Sequence, residues 1–325
     1  MINDDIDAKI LVQLLCDGRK KFSDIADETN VSLDVICQHY KKMEKNGIIT
    51  GSTLLIDYRA LGYSISLNIS LSVPFQKQET TIERLREIPG VYDVYQLGNK
   101  SDLMVTMHLT NNKEFEEIKQ IVRSLPCIRV NFDIWTSARV SMTNLSVFSD
   151  EESSSNRDIS KTEANTRNWD SIKLDELDKF IIEQLVFNCR KTFGSLAKKT
   201  GNSISTIMRR YNRLRLNDII LPTIQINTSK LEYPADAMFK LKANAQSNLN
   251  KITKTISKIP DVYAIFNTFG AYDYIVYSCV KDLEHFLNLE EQISTVPDVQ
   301  EICNATILPP IPDGLPFPAM QKSTF

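Results

Sequence analysis

The sequence repeats itself at a shift of 171 residues, and this internal repeat limits the possible folds more than any other feature. The matches extend from the start of each half to its last third, so one offset holds over almost the whole chain. The matched pairs include Asp7 with Asp178, Ile10 with Ile181, Phe22 with Phe193, Ser32 with Ser203, Tyr40 with Tyr211, Asp102 with Asp273 and Phe115 with Phe286. The chain is therefore expected to hold two copies of one structural unit.

Each copy opens with apolar residues at helical spacing, which predicts an amphipathic first helix. A short second helix and a three-residue turn follow, and then a serine suited to capping a third helix, Ser32 in copy one and Ser203 in copy two. Three helices with a short turn before the last one predict a helix-turn-helix domain at the start of each copy.

The hydrophobic period changes to two in the second part of each copy. Ile65, Leu67 and Ile69 alternate with serine and asparagine, which predicts a strand with one face in water. The elements that follow predict the order β-α-β-β-α-β, which is the ferredoxin-like pattern. We therefore predict an α+β fold, with two copies of a winged helix-turn-helix domain followed by a ferredoxin-like domain.

These patterns divide the chain into eight segments. Residues 149–171 contain almost no apolar side chain and are predicted to be a flexible linker, since such a stretch cannot bury enough surface to fold. The other predicted segments are helix-turn-helix domain 1 (1–50), a linking strand (51–63), βαββαβ domain 1 (64–148), helix-turn-helix domain 2 (172–222), a linking segment (223–235), βαββαβ domain 2 (236–308) and a proline-rich tail (309–325).

Composition excludes several classes of protein. A net charge of −3 excludes a histone-like polycation, and no apolar run approaches the roughly 18 residues of a membrane helix. The chain has no G-x-G-x-x-G, no P-loop and no close cysteine pair, so no metal, nucleotide or other cofactor is predicted. The acidic start lacks a secretory signal, and the scattered cysteines fit a reducing compartment; both predict a cytoplasmic location.

The third helix of copy two has the composition of a DNA-reading helix. Residues 203–217 read SISTIMRRYNRLRLN, with four arginines and no acid. Arg209 and Arg213 lie one turn apart, Arg210 flanks them, and Arg suits both phosphates and guanine edges. Because solvation alone can also account for basic residues on a helix, the turn before the helix and the repeat are what favour double-stranded DNA as the partner. The predicted contacts in copy two are Ser203, Ser205, Thr206, Arg209, Arg210 and Arg213.

Copy one carries a different set at the same positions. Gln38 and His39 replace Arg209 and Arg210, and Lys42 replaces Arg213. Residues 1–50 have 7 basic and 9 acidic side chains, whereas residues 172–222 have 10 and 5. Since phosphate neutralisation dominates DNA affinity, copy two is predicted to supply most of it. Copy one is expected either to read a different half-site through Gln38, His39 and Lys42 or to serve as a scaffold, and His39 is alternatively an ordinary surface histidine.

The repeated unit resembles the Lrp/AsnC (feast/famine) family of transcription regulators. The resemblance covers both halves and rests on G-R-x-x-F-S-D-I-A, S-x-x-x-I-x-x-x-Y, I-P-G-V and the Gly270-Ala271-Tyr272-Asp273 motif. It implies a sequence-specific DNA-binding regulator and not an enzyme, whose βαββαβ domains dimerise through their sheets and assemble into homo-oligomers. It also implies that the glycine-containing loop contributes to a pocket for an amino-acid effector.

The effector residues implied by this resemblance are Gly270, Tyr272 and Asp273 in copy two. We expect Gly270 to adopt a positive φ in a tight turn; alternatively, Gly270 and Asp273 only shape the hairpin. Copy one has Asn99 and Asp102 at the corresponding places but Ser101 where the tyrosine stands, which puts a tyrosine-dependent pocket in doubt there.

Two rival functions share the same plan. Siroheme decarboxylases also join two such halves, but they need a tetrapyrrole cavity, and His39, His108 and His285 have no histidine counterpart in the repeat. An oligomeric scaffold without DNA binding fits copy one but not copy two. If the chain is the regulator, its two helix-turn-helix domains are two unequal DNA-binding heads. They form an internal pseudo-dimer and favour asymmetric operators, with half-sites about one helical turn (~34 Å) or a multiple apart.

Overall fold

A computed structural model of the chain describes residues 5–97, 102–148, 173–309 and 315. The linker predicted over residues 149–171 lies outside the described residues. Copy one contains, in chain order, α1 (Asp5–Cys16), α2 (Phe22–Thr29), α3 (Leu33–Lys45), β1 (Ile49–Ile56), β2 (Ile65–Ser72), α4 (Gln78–Arg86), β3 (Val91–Gln96), β4 (Asp102–Leu109), α5 (Asn112–Arg123) and β5 (Arg129–Val140).

Copy two repeats this order element by element. It contains α6 (Glu176–Val186), α7 (Phe193–Thr200), α8 (Ile204–Leu216), β6 (Ile220–Ile226), β7 (Ala235–Ala243), α9 (Leu249–Ile256), β8 (Val262–Phe269), β9 (Tyr274–Val280), α10 (Leu283–Ser294) and β10 (Val299–Leu308). The α+β fold predicted from the sequence is confirmed. None of the helices in the described residues is long and apolar enough to cross a membrane.

The third helices begin and pack as their sequences require. Ser32 accepts a hydrogen bond from the Val35 N–H, and Ser203 accepts one from the Thr206 N–H, which satisfies a backbone donor at each helix start. The residues that face the core are buried in both copies: Ile36, Tyr40 and Met43 in α3, and Ile207, Tyr211 and Leu214 in α8. Burial of these apolar sides fixes each third helix against its own domain.

The eight strands of the two βαββαβ domains form one sheet in the order β10-β7-β9-β8-β5-β2-β4-β3. Each domain contributes four neighbouring strands in the ferredoxin-like order. The domains join where β5 pairs antiparallel with β8, from Ile134 opposite Phe269 to Val140 opposite Ala264. The main-chain hydrogen bonds between β5 and β8 thus join the two domains into one sheet.

The polar side of β2 does not face water, which corrects the prediction of a wet face. Lys240 on β7 donates a hydrogen bond from Nζ to Ser70 Oγ at 2.7 Å, and Tyr277 Oη on β9 lies 3.9 Å from Met104 Sδ on β4. These contacts bring the sheet of copy two onto the serine-bearing side of copy one. The alternation of apolar and polar residues in β2 therefore separates a core face from a face between the copies.

The two linking strands pair with each other as a separate antiparallel sheet, with Thr53 opposite Thr223. Both strands begin two or three residues before the linking segments predicted at 51 and 223. Leu315, in the predicted proline-rich tail, is buried and exchanges main-chain hydrogen bonds with Ile226 of β6. The other tail residues from 310 onwards lie outside the described part of the chain.

The segment after β5 is hydrogen-bonded to copy two. Asn144 Nδ2 donates to the carbonyl oxygens of Ile259 and Val262 at 2.7 and 2.8 Å. Asp261 has a φ of 67° and accepts hydrogen bonds from Tyr233 Oη and the Ser146 N–H, both at 2.6 Å. Gly90, the repeat equivalent of Asp261, has a φ of 83°. An aspartate thus occupies a left-handed position in copy two because its carboxylate holds the neighbouring copy.

Candidate nucleic-acid interface and ligand cavity

The start of α8 presents a group of hydroxyls. Ser203 Oγ, the capping atom, lies 2.8 Å from Ser205 Oγ and 2.9 Å from Thr206 Oγ1. Ser203 and Ser205 are exposed, and Thr206 is half-buried. The three hydroxyls predicted to contact DNA are therefore grouped at one helix end, where phosphate oxygens bind readily.

Two of the three predicted arginines are bound to an acidic residue of α6. Arg213 pairs with Asp178, and Arg210 pairs with Asp178 at 3.3 Å and with Asp175 at 2.8 Å. Asp178 is fully buried, whereas the Arg210 and Arg213 side chains remain 25% and 41% exposed. This corrects the picture of a freely basic helix, because these two guanidiniums hold α8 against α6. Arg209 is exposed and has no hydrogen-bond or ion-pair partner among the described residues.

In copy one, the equivalent aspartate of the first helix pairs with a histidine instead of arginines. His39 Nδ1 lies 2.8 Å from Oδ1 of Asp7, which is buried and is the repeat equivalent of Asp178. The Nδ1 side of the His39 ring is therefore engaged with α1, and His39 remains only a predicted base reader. Gln38 and Lys42, the other predicted contacts of this copy, are exposed.

The two helix-turn-helix domains exchange arginines. Arg19 lies over the Phe193 ring with its guanidinium carbon 4.2 Å from the centroid, and it donates to the carbonyl oxygens of Cys189 and Lys191. Arg190 lies over Phe22 at 4.5 Å and donates to the Gly18 carbonyl oxygen at 2.6 Å. Burial lowers the pKa of Arg19 below its usual value. The exchange joins the two domains through interactions that are equivalent in the repeat.

This exchange was missed in the sequence, although the Arg19 and Arg190 pair was visible in the repeat. A further contact crosses the same interface, where Arg215 Nη1 lies 2.9 Å from Asp17 Oδ2. Gly18 is required here because a Cβ atom would come within 2.6–2.8 Å of the Thr223 backbone. Contact between the two copies therefore explains why Arg19 and Arg190 are repeated. The other interface residues named here are not repeated, since Asp17, Gly18 and Arg215 align with Asn188, Cys189 and Glu44.

The Gly270-Ala271-Tyr272-Asp273 loop of copy two rests on β5 of copy one. Asp133 Oδ1 accepts hydrogen bonds from the Ala271 and Tyr272 N–H groups at 2.7 and 3.2 Å. Gly270 does not adopt the expected positive φ. Glycine is needed instead because a Cβ atom would lie 2.7 Å from Asp133 Oδ1 and still closer to the Phe132 carbonyl oxygen.

Asp273 is mainly engaged within its own copy. Its Oδ2 accepts a hydrogen bond from the Ala243 N–H at 2.9 Å, and its Oδ1 lies 3.8 Å from Lys242 Nζ. The hairpin-shaping interpretation of Asp273 is thus supported by geometry. In copy one, Asn99 lies outside the described residues, and Asp102 begins β4; its side chain is outside the description.

A polar cavity of about 210 Å³ lies where the two βαββαβ domains meet. Lys240 is buried and extends past the Tyr272 ring, with Nζ 5.0 Å from the centroid. The lining residues are Ser70, Leu71, Ser72, Leu97, Arg129 and Asn131 of copy one, and Lys240, Tyr272, Cys303, Asn304 and Thr306 of copy two. Two cationic side chains and several neutral polar groups give this cavity the chemistry of a carboxylate site.

Asp133 is a buried acid whose carboxylate contacts the Gly270-Ala271-Tyr272-Asp273 loop. Burial raises the pKa of Asp133, although the positive charge of Lys240 and the backbone N–H donors oppose this shift. Asp133 Oδ2 has no hydrogen-bond partner among the described residues. One oxygen of this buried carboxylate thus holds the loop, and the other is a buried acceptor without a partner in the described chain.

Comparison with known proteins follows the same two-part division. A profile described as the Lrp/AsnC ligand binding domain matches residues 236–308, and one described as the AsnC-type helix-turn-helix domain matches residues 174–215. A profile for winged helix-turn-helix DNA-binding domains matches residues 3–50. An uncharacterised HTH-type transcriptional regulator of Pyrococcus furiosus is 36% identical over 125 residues, which are 38% of this chain and 80% of that protein. The chain belongs to the Lrp/AsnC family.

A second relative supports the duplication of the unit. The HTH-type transcriptional regulator FL11 of Pyrococcus horikoshii is 28% identical over 123 residues, which are 38% of this chain and 82% of that protein. A relative that is matched almost completely by little more than a third of this chain fits a polypeptide with two Lrp/AsnC units. The family is one of helix-turn-helix transcription regulators rather than of enzymes, as predicted.

The solved structures that match both halves together include one of a siroheme decarboxylase. The siroheme decarboxylase NirDL covers 94% of this chain over 91% of its own, with a TM-score of 0.63 and 18% identity. At this identity the likeness concerns the fold alone.

The histidines of this chain serve packing roles. His108 is buried and stacked on Tyr58, and burial lowers its pKa to about 3. His39 and His285 pair with Asp7 and Asp261, respectively. These observations do not favour a tetrapyrrole site.

Proposed function

We propose that this Lrp/AsnC chain is a DNA-binding regulator whose two unequal heads bind one bipartite operator. The observation that carries this proposal is the solvent-facing side of α8. Arg209 is exposed on it, the hydroxyls of Ser203 and Ser205 lie at its start, and neither α7 nor α8 contains an acid. A helix with these groups suits the major groove, where arginine and hydroxyl groups bind phosphates and base edges.

Copy two is proposed as the stronger head, although its arginines are partly neutralised. Exposed Lys198 and Lys199 lie at the end of α7, whereas the equivalent α2 carries Asp24, Asp27 and Glu28. Copy one compensates in part through the exposed Lys42 on α3. Both heads therefore contribute phosphate contacts, with the larger share from copy two.

The fixed relation between the heads supports an asymmetric operator. The β1–β6 sheet and the exchange of Arg19 and Arg190 join the two helix-turn-helix domains within one chain. Because α3 and α8 differ in sequence, the half-sites they prefer differ as well. Footprinting that reveals two equally protected palindromic arms would contradict this proposal.

Salt-dependent binding to random-sequence duplex tests DNA binding itself. For the wild-type chain, the logarithm of the affinity is expected to fall linearly with the logarithm of the salt concentration. Arg209→Ala should reduce the slope by about one unit for each lost phosphate contact, or lower affinity without changing the slope if Arg209 contacts only bases. Arg123→Ala, on the exposed surface of α5, is the matched control and should change neither. An absence of binding at low salt would refute the function.

An effector site in the 210 Å³ cavity is the regulatory part of this proposal. Lys240 and Arg129 suit the carboxylate of a small molecule such as an amino acid, and Tyr272 lies beside Lys240. Calorimetric titration with the amino acids should reveal at least one ligand, and Lys240→Met should abolish its binding. If no amino acid binds to the wild-type chain, this part of the proposal fails.

The location and the assembly complete the proposal. A regulator of this kind acts in the compartment that holds the DNA, in keeping with the cytoplasmic location predicted from the sequence.

Self-association beyond the internal pseudo-dimer is proposed because each end of the eight-stranded sheet, β3 and β10, has no further strand beside it among the described residues. Light scattering of the purified chain tests this directly.

A further inference from the structure

We propose that the two heads recognise different bases at one equivalent position, with Gln38 reading adenine and Arg209 reading guanine. This inference rests on the proposed function and identifies the residues that make the operator asymmetric. It predicts which base pair differs between the half-sites and which substitution makes them alike.

The repeat places Gln38 and Arg209 at the same point of the two third helices. Both α3 and α8 have 13 residues, and both begin directly after a capping serine. Gln38 and Arg209 are each the sixth residue of their helix. Any difference in what they contact therefore comes from their side chains rather than from a shift of the helix.

The neighbouring side chains are already engaged in packing. His39 is held by Asp7, and Arg210 by Asp178 and Asp175. Tyr40 and Tyr211, one position further on, are buried. Gln38 and Arg209 are exposed and have no hydrogen-bond or ion-pair partner among the described residues. They are thus long polar side chains at the centre of each helix that remain available to a base edge.

The chemistry of the two side chains selects different bases. The amide of Gln38 offers a donor and an acceptor, which match N7 and the N6 amino group of adenine. The guanidinium of Arg209 offers only donors, which match N7 and O6 of guanine, and at adenine it would face the N6 amino donor. Each matched bidentate pair is expected to favour its base by about tenfold to hundredfold.

The anchoring of α8 and α3 gives this readout a fixed geometry. The Asp178 pairs hold α8 to α6, and the Asp7–His39 pair holds α3 to α1. The guanidiniums of Arg19 and Arg190 lie 5.2 and 5.8 Å from the ring centroids of Tyr211 and Tyr40, the buried rings of the opposite head. A base reader on an anchored helix discriminates well because its position is not adjustable.

Selection of bound sequences from a randomised duplex library, with the full chain, tests the inference. The wild-type consensus should contain A·T at one position and G·C at the position related to it in the other half-site. Gln38→Arg should convert the first to G·C, Arg209→Gln should convert the second to A·T, and the double exchange should reverse the orientation of the consensus. Binding that persists with an unchanged consensus in both single variants would overturn the inference.

Two controls separate this inference from the proposed function. Lys41→Arg, an exposed substitution on α3, should leave the consensus unchanged, and a consensus that shifts as it does in Gln38→Arg would contradict the assignment to Gln38. Thermal unfolding should be unchanged in the single variants because the altered side chains have no partners in the described chain. If the wild-type chain enriches no sequence and shows no salt-dependent binding, the proposed function itself fails.

Discussion

Arg19 of one helix-turn-helix domain lies 4.2 Å above the ring of Phe193 of the other, and Arg190 and Phe22 make the equivalent contact in return at 4.5 Å. Each guanidinium also donates to main-chain carbonyl groups of the opposite copy. An arginine can satisfy both needs because its planar group stacks on a ring and donates in its own plane. The internal duplication has thus preserved a two-fold interface within a single polypeptide.

Replacement of Arg19 or Arg190 by alanine should weaken the contact between the two helix-turn-helix domains. Arg19→Ala and Arg190→Ala are each expected to lower the free energy of unfolding by about 1–2 kcal/mol, from the loss of a partly buried cation–π contact and its hydrogen bonds. Urea denaturation of the full chain measures this effect. Arg19→Lys keeps the charge but loses the planar fork, so it should recover only part of the loss. Wild-type stability in both alanine variants would contradict the role of this exchange.

The acidic anchor of α8 leads to a second prediction. In the variant with Arg210→Ala and Arg213→Ala, Asp178 remains buried without a cationic partner, which should cost roughly 1–3 kcal/mol, given that both guanidiniums are partly exposed. Chemical denaturation provides the measurement. Addition of Asp178→Asn should restore most of the stability, since it removes the buried charge and keeps an acceptor for the Asp175 N–H. If the triple variant is no more stable than the double variant, the loss does not come from an unpaired carboxylate.

The sequence predicted the order of elements because that order depends on local patterns. The change of hydrophobic period after residue 63, the serines that cap α3 and α8, and the repeat itself are all readable without knowledge of distant contacts. The family resemblance implied that the two domains meet through their sheets, but the pairing of β5 with β8 and the covering of the polar side of β2 were not predicted from the residues. Both depend on how two complete domains meet, and no local pattern specifies that meeting.

The candidate site was predicted less well for the same reason. Arg209, Arg210 and Arg213 are equally basic in sequence, yet only Arg209 lacks an acidic neighbour among the described residues. The acid that distinguishes them, Asp178, lies more than 30 residues earlier on α6. Its repeat equivalent Asp7 pairs with His39, so the shared aspartate was a sign of a structural anchor. Arg19 and Arg190 also match in the repeat, and only the structure shows that they join the two helix-turn-helix domains.

Gly270 provides a third prediction about the loop beside the cavity. Gly270→Ala should displace the loop, because the new methyl group would meet the Phe132 carbonyl oxygen and Asp133, both on β5. We expect a lower thermal midpoint and weaker effector binding. Gly194→Ala is the matched control: its Cβ would meet Ile204 Cδ1 only at 3.8 Å, and alanine favours the α7 helix by up to about 1 kcal/mol. Equal effects of the two substitutions would show that close approach to β5 is unimportant.

Asp236 on β7 provides the last prediction, which concerns pH. This residue is buried, the Cys279 thiol is the group that opposes its loss of hydration, and burial raises its pKa to about 7. In the unfolded chain this group has a pKa of about 3.9, so the folded state binds the proton more tightly. Its contribution to the free energy of unfolding should therefore fall as the pH rises from about 4 to about 7, by on the order of 1 kcal/mol per pH unit, and stay constant above that range.

Asp236→Asn isolates this contribution because the amide has nearly the same shape and does not ionise. Urea denaturation at pH 5 and pH 8 should show that the variant gains stability relative to the wild-type chain at the higher pH, where the buried carboxylate of the wild type is charged. Asp27→Asn, on the exposed surface of α2, should leave the difference between the two pH values unchanged. A difference between wild type and Asp236→Asn that does not vary with pH would mean that Asp236 keeps an ordinary pKa, and that water or another donor reaches its carboxylate.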